Sequence, residues 1–184
     1  MQNIYFILRH GNPAWKYLDI IYPADEMVSV GLSRQGREQI KTIAKDLKKQ
    51  RIDLILSSDY RRTKETAQII AKSLDLKVSY DKRLQDQKRG VYCGRPMADF
   101  YQDFPDPKKR FRIKPQGGES WNDVRRRVVD FLRDTEKKYK NKKILIVSHG
   151  DPLWLLEGAV KGLDNEQLLE QKYIKVGELR KLCP

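Results

Sequence analysis

Two short apolar segments, each ending in His-Gly, constrain the fold of this chain more than any other feature of its sequence. They span residues 4–11 and 144–150, and they contain the only two histidines, His10 and His149. Short runs rich in β-branched and aromatic residues are typical of buried strands in a parallel sheet. Because ligands of open α/β sheets bind beyond the carboxyl ends of the strands, two central strands would bring both imidazoles to one site. Such a pair suits chemistry on an anion, with one histidine as the nucleophile.

Strand and helix patterns alternate along the chain. The patterns predict strands at residues 2–8, 53–57, 77–80 and 143–148, and helices at residues 33–49, 60–74 and 120–140. Ser33, Asp59, Ser120 and Asp151 are the expected helix caps, and Pro152 is the expected first-turn proline of the helix that Asp151 opens. This alternation predicts a three-layer α/β/α sandwich with a mostly parallel central sheet.

Residues 81–118 interrupt the alternation. They have no clear periodicity and contain four prolines and four glycines. A segment this long is typical of a lid or a binding insertion rather than of an ordinary connection. Because no internal repeat or linker is visible elsewhere, we expect a single domain over residues 1–184, with a cap insertion at about residues 81–118.

The chain is strongly basic, with a formal net charge of +13. Such a charge favours phosphorylated substrates or nucleic acid as partners. The densest basic cluster contains no acid and consists of Lys108, Lys109, Arg110, Arg112 and Lys114. A single-stranded nucleic-acid site would interleave several aromatic residues with the cations, and only Phe111 does so here. We therefore expect a small phosphorylated partner rather than nucleic acid. The arginines at 125–127 are expected to form a solvated helix face.

The apolar segments, the N-terminus and the cysteines together predict the cellular compartment of the protein. No apolar stretch approaches the roughly 20 residues that a membrane span needs, and Met1 leads directly into the first strand without a signal-peptide pattern. Two cysteines, Cys93 and Cys183, fit a reducing environment. These features predict a cytoplasmic protein without a membrane partner.

Three segments carry the candidate chemistry. Arg9-His10-Gly11 and Ser148-His149-Gly150 each end a predicted strand. The third segment, residues 57–67, places Arg62 in the first turn of a helix that follows a strand. Backbone N–H groups and the helix dipole favour an anion at such a position, and a guanidinium adds a fixed fork for phosphate oxygens.

Taken in order, these segments and three others resemble the histidine phosphatase superfamily, the phosphoglycerate-mutase-like fold, over nearly the whole chain. The matching segments are Arg9-His10-Gly11, residues 32–39, residues 57–67, residues 84–94, residues 115–120 and Ser148-His149-Gly150. One such block is a weak signal, whereas six in register are a strong one.

The resemblance implies that His10 attacks phosphorus and forms a phosphohistidine. It also implies that Arg9, Arg62 and His149 hold the phosphoryl oxygens, with Asn12 and Lys16 as further candidate phosphate contacts. Lys16 departs from the family pattern, in which asparagine is common at this position. A neutral imidazole is a competent nucleophile near pH 7, because the unperturbed pKa of histidine is about 6.5.

The resemblance also implies a carboxylic acid as the general acid, with two candidates in this chain. The family's glutamate aligns with Asp86, whose carboxyl reaches about one bond less far, and Glu119 is the second candidate. The acid would protonate the leaving oxygen and then take a proton from the attacking water.

The sequence therefore predicts a cofactor-independent phosphatase that acts on a small phosphomonoester and needs no metal. A phosphoglycerate-type phosphomutase is the alternative with the same chemistry, although such mutases carry longer insertions and an extended C-terminal tail. A basic RNA-binding or interaction module on the same fold is the alternative of another class. The substrate, the oligomeric state and the role of the 108–114 cluster are left open.

Overall fold

The computed structural model describes residues 1–15, 19–23 and 29–183. The strands in these ranges are β1 (Ile4–Arg9), β2 (Leu54–Ser57), β3 (Val78–Tyr80), β4 (Lys143–Ser148) and β5 (Leu179–Lys181). The helices are α1 (Arg34–Lys48), α2 (Arg61–Leu74), α3 (Met97–Asp103), α4 (Trp121–Lys138), α5 (Gly150–Val160) and α6 (Asn165–Glu170). None of the helices in these ranges is both long and apolar enough to cross a membrane.

The described strands form one sheet in the order β3-β2-β4-β1-β5. The first four are parallel, whereas β5 runs antiparallel to β1 at the edge. The mostly parallel sheet predicted from the sequence is therefore confirmed, but β5 was not predicted. In the register between β1 and β4, Arg9 lies opposite Ser148, so the residues that follow these two leave the sheet side by side.

Both faces of the sheet are buried, as the apolar runs predicted. Along β1, Phe6 and Leu8 point into a core with α1 and α2, whereas Tyr5 and Ile7 point into a second core with α4 and α5. Burying one such side chain contributes roughly 1.5–3 kcal/mol to stability, so the two cores hold the strands firmly. The result is the predicted three-layer sandwich.

Two of the predicted helix caps are confirmed and two are wrong. The Ser33 hydroxyl accepts a hydrogen bond from the Gly36 N–H, and Ser120 forms a capping box at α4. In contrast, α2 has Tyr60 at its N-cap position, and the Asp59 carboxylate accepts from Gln85 Nε2 at 2.7 Å. Asp59 therefore binds a side chain distant in the sequence instead of the backbone N–H groups of α2 that the pattern indicated.

The second correction concerns the start of α5. His149 is its N-cap residue, so Asp151 lies in the first turn instead of preceding it. Because the helix begins directly after β4, its N-terminal N–H groups lie beside the second histidine.

The cap segment, residues 81–118, carries short elements with a small core of its own. It contains α3 and three single 3₁₀ turns at residues 82–84, 90–92 and 109–111. Tyr92 and Phe100 pack with Ile21, which lies in the loop after β1. Phe111 anchors the far end of the segment against Trp121 and Trp154. The cap segment is thereby placed over the carboxyl ends of the strands.

Candidate active site

The two histidines meet at the carboxyl ends of β1 and β4, as the sequence predicted. The His10 N–H donates to the Ser148 carbonyl at 3.0 Å, which continues the pairing of the strands by one residue. The imidazole centroids of His10 and His149 lie 5.3 Å apart, and both side chains are buried. The two histidines lie far apart in the sequence, and the parallel pairing of β1 with β4 brings them together.

The environment of His10 fixes both its charge and its tautomer. Burial, followed by the charges of Arg62, His149 and Arg9, lowers its pKa well below 6.5, so the ring is neutral. Nδ1 lies 2.9 Å from the Gly11 carbonyl oxygen. Because a carbonyl oxygen can only accept, Nδ1 must carry the proton and Nε2 must carry the lone pair. A neutral imidazole in this tautomer is a nucleophile at Nε2.

The loop after His10 packs directly on α1, and this packing explains two glycines. A Cβ on Gly36 would lie 2.1 Å from the Asn12 carbonyl oxygen, and a Cβ on Gly11 would lie 2.7 Å from Cγ1 of Ile40. The Asn12 N–H also donates to Gln39 Oε1 at 3.1 Å. Residues 32–39, one of the segments that carry the family resemblance, therefore hold the loop that follows His10 in place.

Arg62 and Asp86 form an ion pair beside the histidines. The Arg62 side chain is fully buried in the first turn of α2, and its Nη2 donates to Asp86 Oδ2 at 3.0 Å. The guanidinium also lies over the rings of Tyr22 and Tyr60, with centroid distances of 4.8 and 5.2 Å. The two tyrosine rings, the ion pair with Asp86 and the backbone of α2 together fix the orientation of the Arg62 guanidinium.

His149 is held between Ser58 and Asp86. Its Nε2 lies 3.0 Å from Ser58 Oγ, and its Nδ1 lies 3.6 Å from Asp86 Oδ2. Burial, then the charges of Arg62, Arg9 and Arg127, lowers its pKa well below 6.5. Ser58 was visible only as part of a motif, and nothing in the sequence indicated that it would orient the second histidine.

Arg9 reaches the site from the end of β1. Its Nη1 donates to the Ile174 carbonyl at 3.0 Å, and its guanidinium lies 5.6 Å from the ring centroid of Tyr173. Within the described ranges, its buried Nε has no hydrogen-bond partner. A buried donor without a partner costs free energy, and the rest of the Arg9 side chain lines the cavity at this site.

Sequence reasoning missed a cluster of polar side chains around Asp151, which lies beside Arg9 and the histidines. The Tyr173 hydroxyl donates to Asp151 Oδ1 at 2.9 Å, and Arg89 donates to Asp151 Oδ2 at 2.9 Å. A Cβ on Gly150 would lie 2.1 Å from the Tyr173 hydroxyl oxygen, so this glycine is required by the contact. The group joins the first turn of α5 to the cap segment and to the chain before β5.

A cavity of about 540 Å³ opens at this site, but Arg62 and His149 are fully buried and are not among the described residues that line it. Its floor contains Arg9, His10 and Asp86, and the cap segment contributes Arg89, Met97, Tyr101 and Arg110. Further aromatic walls come from Trp15, Tyr22, Trp121 and Tyr173. The space is larger than a phosphate group needs, and both cations and aromatic rings line it.

The remaining predicted site residues are Asn12, Lys16 and Glu119. Asn12 lines the cavity, whereas Lys16 lies outside the described residues. Glu119 is not among the described lining residues: its carboxylate is bound by Arg127 and by the Lys88 N–H. The structure brings Asp86, and not Glu119, beside the histidines.

The basic cluster of residues 108–114 is divided between two places, because Lys108, Lys109 and Arg112 line a separate surface pocket. Only Arg110 of this cluster lines the cavity, while Lys108 pairs with Glu166 at 2.6 Å and Lys114 lies 3.7 Å from Asp123. Exposed pairs of this kind contribute little energy. Whether any of these side chains contacts a substrate stays a prediction, now confined to Arg110.

Comparisons with known proteins agree with this geometry. The model of the histidine phosphatase superfamily (branch 1) matches residues 5–181. Phosphoserine phosphatase 1 of Hydrogenobacter thermophilus is 30% identical over 167 residues, which are 86% of this chain and 76% of the relative. A probable phosphoglycerate mutase of Yersinia enterocolitica is 31% identical over 163 residues, which are 86% of this chain and 74% of the relative.

Solved structures show the same architecture. A mycobacterial glucosyl-3-phosphoglycerate phosphatase superposes with a TM-score of 0.80 at 25% identity, covering 97% of this chain and 88% of that one. YhfR of Bacillus stearothermophilus superposes with a TM-score of 0.83 at 23% identity, covering 97% and 90%, and this likeness concerns the fold alone. With two histidines at the ends of neighbouring parallel strands and a family match over nearly its full length, this chain belongs to the histidine phosphatase superfamily (branch 1).

Proposed function

We propose that the protein is a phosphatase that hydrolyses a small phosphomonoester through a phosphohistidine on His10. The observation that carries this proposal is the state of the His10 ring. It is buried and neutral, and its Nδ1 proton is directed to the Gly11 carbonyl, so its lone pair is on Nε2. Neutral imidazole in a cavity that an arginine also lines is suited to attack on a phosphoryl group.

In the first step, His10 Nε2 forms a bond to phosphorus while the bond to the leaving oxygen breaks. Asp86 rests as a carboxylate paired with Arg62, so it must first take a proton from solution; it then gives that proton to the leaving oxygen, which departs as an alcohol. In the second step, water attacks the phosphohistidine, its proton passes to the Asp86 carboxylate, and the P–N bond breaks. The products are an alcohol and inorganic phosphate, and His10 returns to its neutral form.

The charge on the phosphoryl oxygens is offset by the cations around His10. Arg9 and Arg62 both lie close enough to His10 to lower its pKa, and Arg9 also lines the cavity. His149 is the third candidate, because its ring lies 5.3 Å from that of His10. Donors that are fixed before the reaction stabilise developing charge without reorganisation, which is a large contribution in a water-poor site.

Asp86 is the proposed acid because of where its carboxylate lies. It lines the cavity and lies 3.6 Å from His149 Nδ1, whereas the Glu119 carboxylate is engaged by Arg127. The nucleophile, the cations and the acid are all supplied by side chains, so we propose that neither a metal ion nor a cofactor takes part.

A phosphomutase is the second candidate, favoured by the relative that is named as a probable phosphoglycerate mutase. A mutase returns the phosphoryl group of the phosphohistidine to the substrate, whereas a phosphatase transfers it to water. Incubation with a phosphoglycerate, followed by ³¹P NMR, separates the two: growth of an isomer indicates a mutase, and growth of inorganic phosphate indicates a phosphatase.

The proposal is tested with an activated aryl phosphate and a panel of alkyl phosphomonoesters, both assayed in EDTA. Turnover should persist in the chelator, and His10→Ala should abolish it while circular dichroism shows an unchanged fold. Quenching at high pH, where phosphohistidine is stable, should leave a phosphorylated peptide that contains residue 10. A metal requirement, or full activity in His10→Ala, would contradict the mechanism.

The acid is tested separately. Asp86→Asn should lose about 10²- to 10⁴-fold in kcat on an alkyl phosphate and much less on the activated aryl phosphate, whose departure needs little protonation. Glu119→Gln is the matched variant, since it changes the other candidate in the same conservative way. If Glu119→Gln shows this dependence on the leaving group and Asp86→Asn does not, the assignment is wrong.

A further inference from the structure

Arg127 on α4 is bound in a way that a solvated residue would not be. Nε and Nη2 of its guanidinium donate to the two carboxylate oxygens of Glu119 at 2.9 and 3.0 Å. Nη1 donates to the carbonyl of Arg83 at 2.6 Å, and Nη2 also reaches the carbonyl of Asp86 at 3.1 Å. The expectation that residues 125–127 form a solvated face is therefore wrong for Arg127. It is also wrong for Arg125, whose Nη1 donates to Asn165 Oδ1 at 2.9 Å and whose Nε and Nη2 are buried.

Both backbone carbonyls that Arg127 binds belong to the segment that carries the proposed acid. Glu119 strengthens the same attachment, because its Oε2 accepts from the Lys88 N–H at 3.0 Å and its carbonyl accepts from Gln87 Nε2 at 2.7 Å. Residues 83–88 are thus joined to the start of α4 at positions on both sides of Asp86. The Arg127 and Glu119 side chains are each only 18% exposed, so the pair is protected from competition by water.

The attachment matters because Asp86 has a short side chain. A glutamate could correct a small displacement of its backbone by turning an extra bond, whereas the aspartate carboxyl stays close to where its backbone places it. The Asp86 carboxylate lies 3.0 Å from Arg62 Nη2 and 3.6 Å from His149 Nδ1. A displacement of about 1 Å at a reacting group can cost on the order of 10²-fold in rate.

We propose that Arg127 is a positioning residue for the general acid, acting through the carbonyls of Arg83 and Asp86 with Glu119 as its counter-ion. The inference rests on the proposed function in one respect, namely that Asp86 is the acid. The alternative is that Arg127 only attaches the cap segment to α4. The same contacts would then be present, but the loss of Arg127 would have a different effect on the kinetics. It would lower the activity on all substrates alike, or it would raise KM.

The experiment compares Arg127→Gln with Arg126→Gln, its neighbour on α4, whose side chain is 74% exposed. We expect Arg127→Gln to lower kcat on an alkyl phosphate by about tenfold or more, and on the activated aryl phosphate by less than about threefold, with KM unchanged. Arg126→Gln should affect neither. Arg127→Lys keeps one donor group of the same charge and should restore part of the loss. If Arg127→Gln does not fold, the same comparison with Arg127→Lys decides the matter.

A double-mutant cycle separates the inference from the function on which it rests. In an Asp86→Asn background, Arg127→Gln should cost little further activity on the alkyl phosphate, since residues that act as one unit are not additive. Additive losses, or an equal loss on both substrates, would overturn the positioning role and leave Asp86 as the acid. If Asp86→Asn itself shows no dependence on the leaving group, the proposed acid fails, and the role of Arg127 fails with it.

Discussion

Lowering the pH from about 7.5 to about 5.5 should destabilise the folded chain through its two buried histidines. Burial is the largest cause that lowers the pKa of His10 and of His149, and the neighbouring arginines lower it further. The folded state therefore keeps both rings neutral over this range, whereas an unfolded chain protonates them near pH 6.5. Because the folded pKa values are the lower ones, this stability is complete above pH 6.5 and is lost as the pH falls below it.

The size of this loss in folding free energy follows from the number of protons that the unfolded chain takes up. One proton bound by the unfolded state alone costs 1.36 kcal/mol of folding free energy for each pH unit below the unfolded pKa. At about one unit below, each histidine costs about 1.4 kcal/mol, so the pair costs about 2.7 kcal/mol. Carboxylates whose folded pKa is lowered, such as those of Glu65 and Glu136, have unfolded pKa values near 4.3 and titrate below this window.

Urea denaturation at the two pH values measures the effect, with the free energy of unfolding obtained by linear extrapolation. The parent should lose about 2.7 kcal/mol, and His10→Gln or His149→Gln should each lose about half of that, because one ring remains. The carboxylates are common to all three proteins and cancel in the comparison.

An independent measurement uses the fact that the chain has only two histidines. Two imidazole Cε1–H signals should appear in the NMR spectrum of the folded protein, and neither should shift between about pH 8 and about pH 5.5. A signal that titrates near pH 6.5, or a parent that loses less than about 1 kcal/mol, would refute the reasoning.

The other predictions concern the cavity wall and the nucleophile loop. Arg110→Gln should raise KM by about tenfold for a phosphomonoester that carries a second anionic group, and should leave kcat on a monoanionic analogue nearly unchanged, since a lost charge-assisted hydrogen bond costs roughly 1.5–3 kcal/mol. The paired variant Lys108→Gln with Lys109→Gln is the control, and equal effects on KM in both would contradict a role for Arg110 in the cavity. Gly36→Ala should destabilise the protein by roughly 1–3 kcal/mol, since the added Cβ would meet the Asn12 carbonyl oxygen at 2.1 Å, and a thermal melt that shows no change would contradict this packing.

The sequence by itself predicted the features that depend on local patterns. The apolar runs that became β1 and β4 are buried on both faces, and such runs are recognisable without knowing their partners. The caps Ser33 and Ser120 were predictable because a serine hydroxyl satisfies N–H groups only two or three residues away. Parallel pairing then brings the residues after both strands to one edge, so the meeting of His10 and His149 followed from their shared position at strand ends.

Tertiary structure decided the features that depend on distant partners. Strand β5 is three residues long and carries two basic side chains, so only its pairing with β1 makes it a strand. The carboxylate of Asp59 binds Gln85 instead of capping a helix, and the Arg127 guanidinium binds two carbonyls far away in the sequence. A polar side chain takes the partner that its fold places within hydrogen-bond distance, and no sequence pattern records which partner that will be. The strand ends therefore determined where the two histidines meet, whereas the tertiary structure decided that the Asp86 carboxylate lies beside His149 and that Arg127 binds the Asp86 carbonyl.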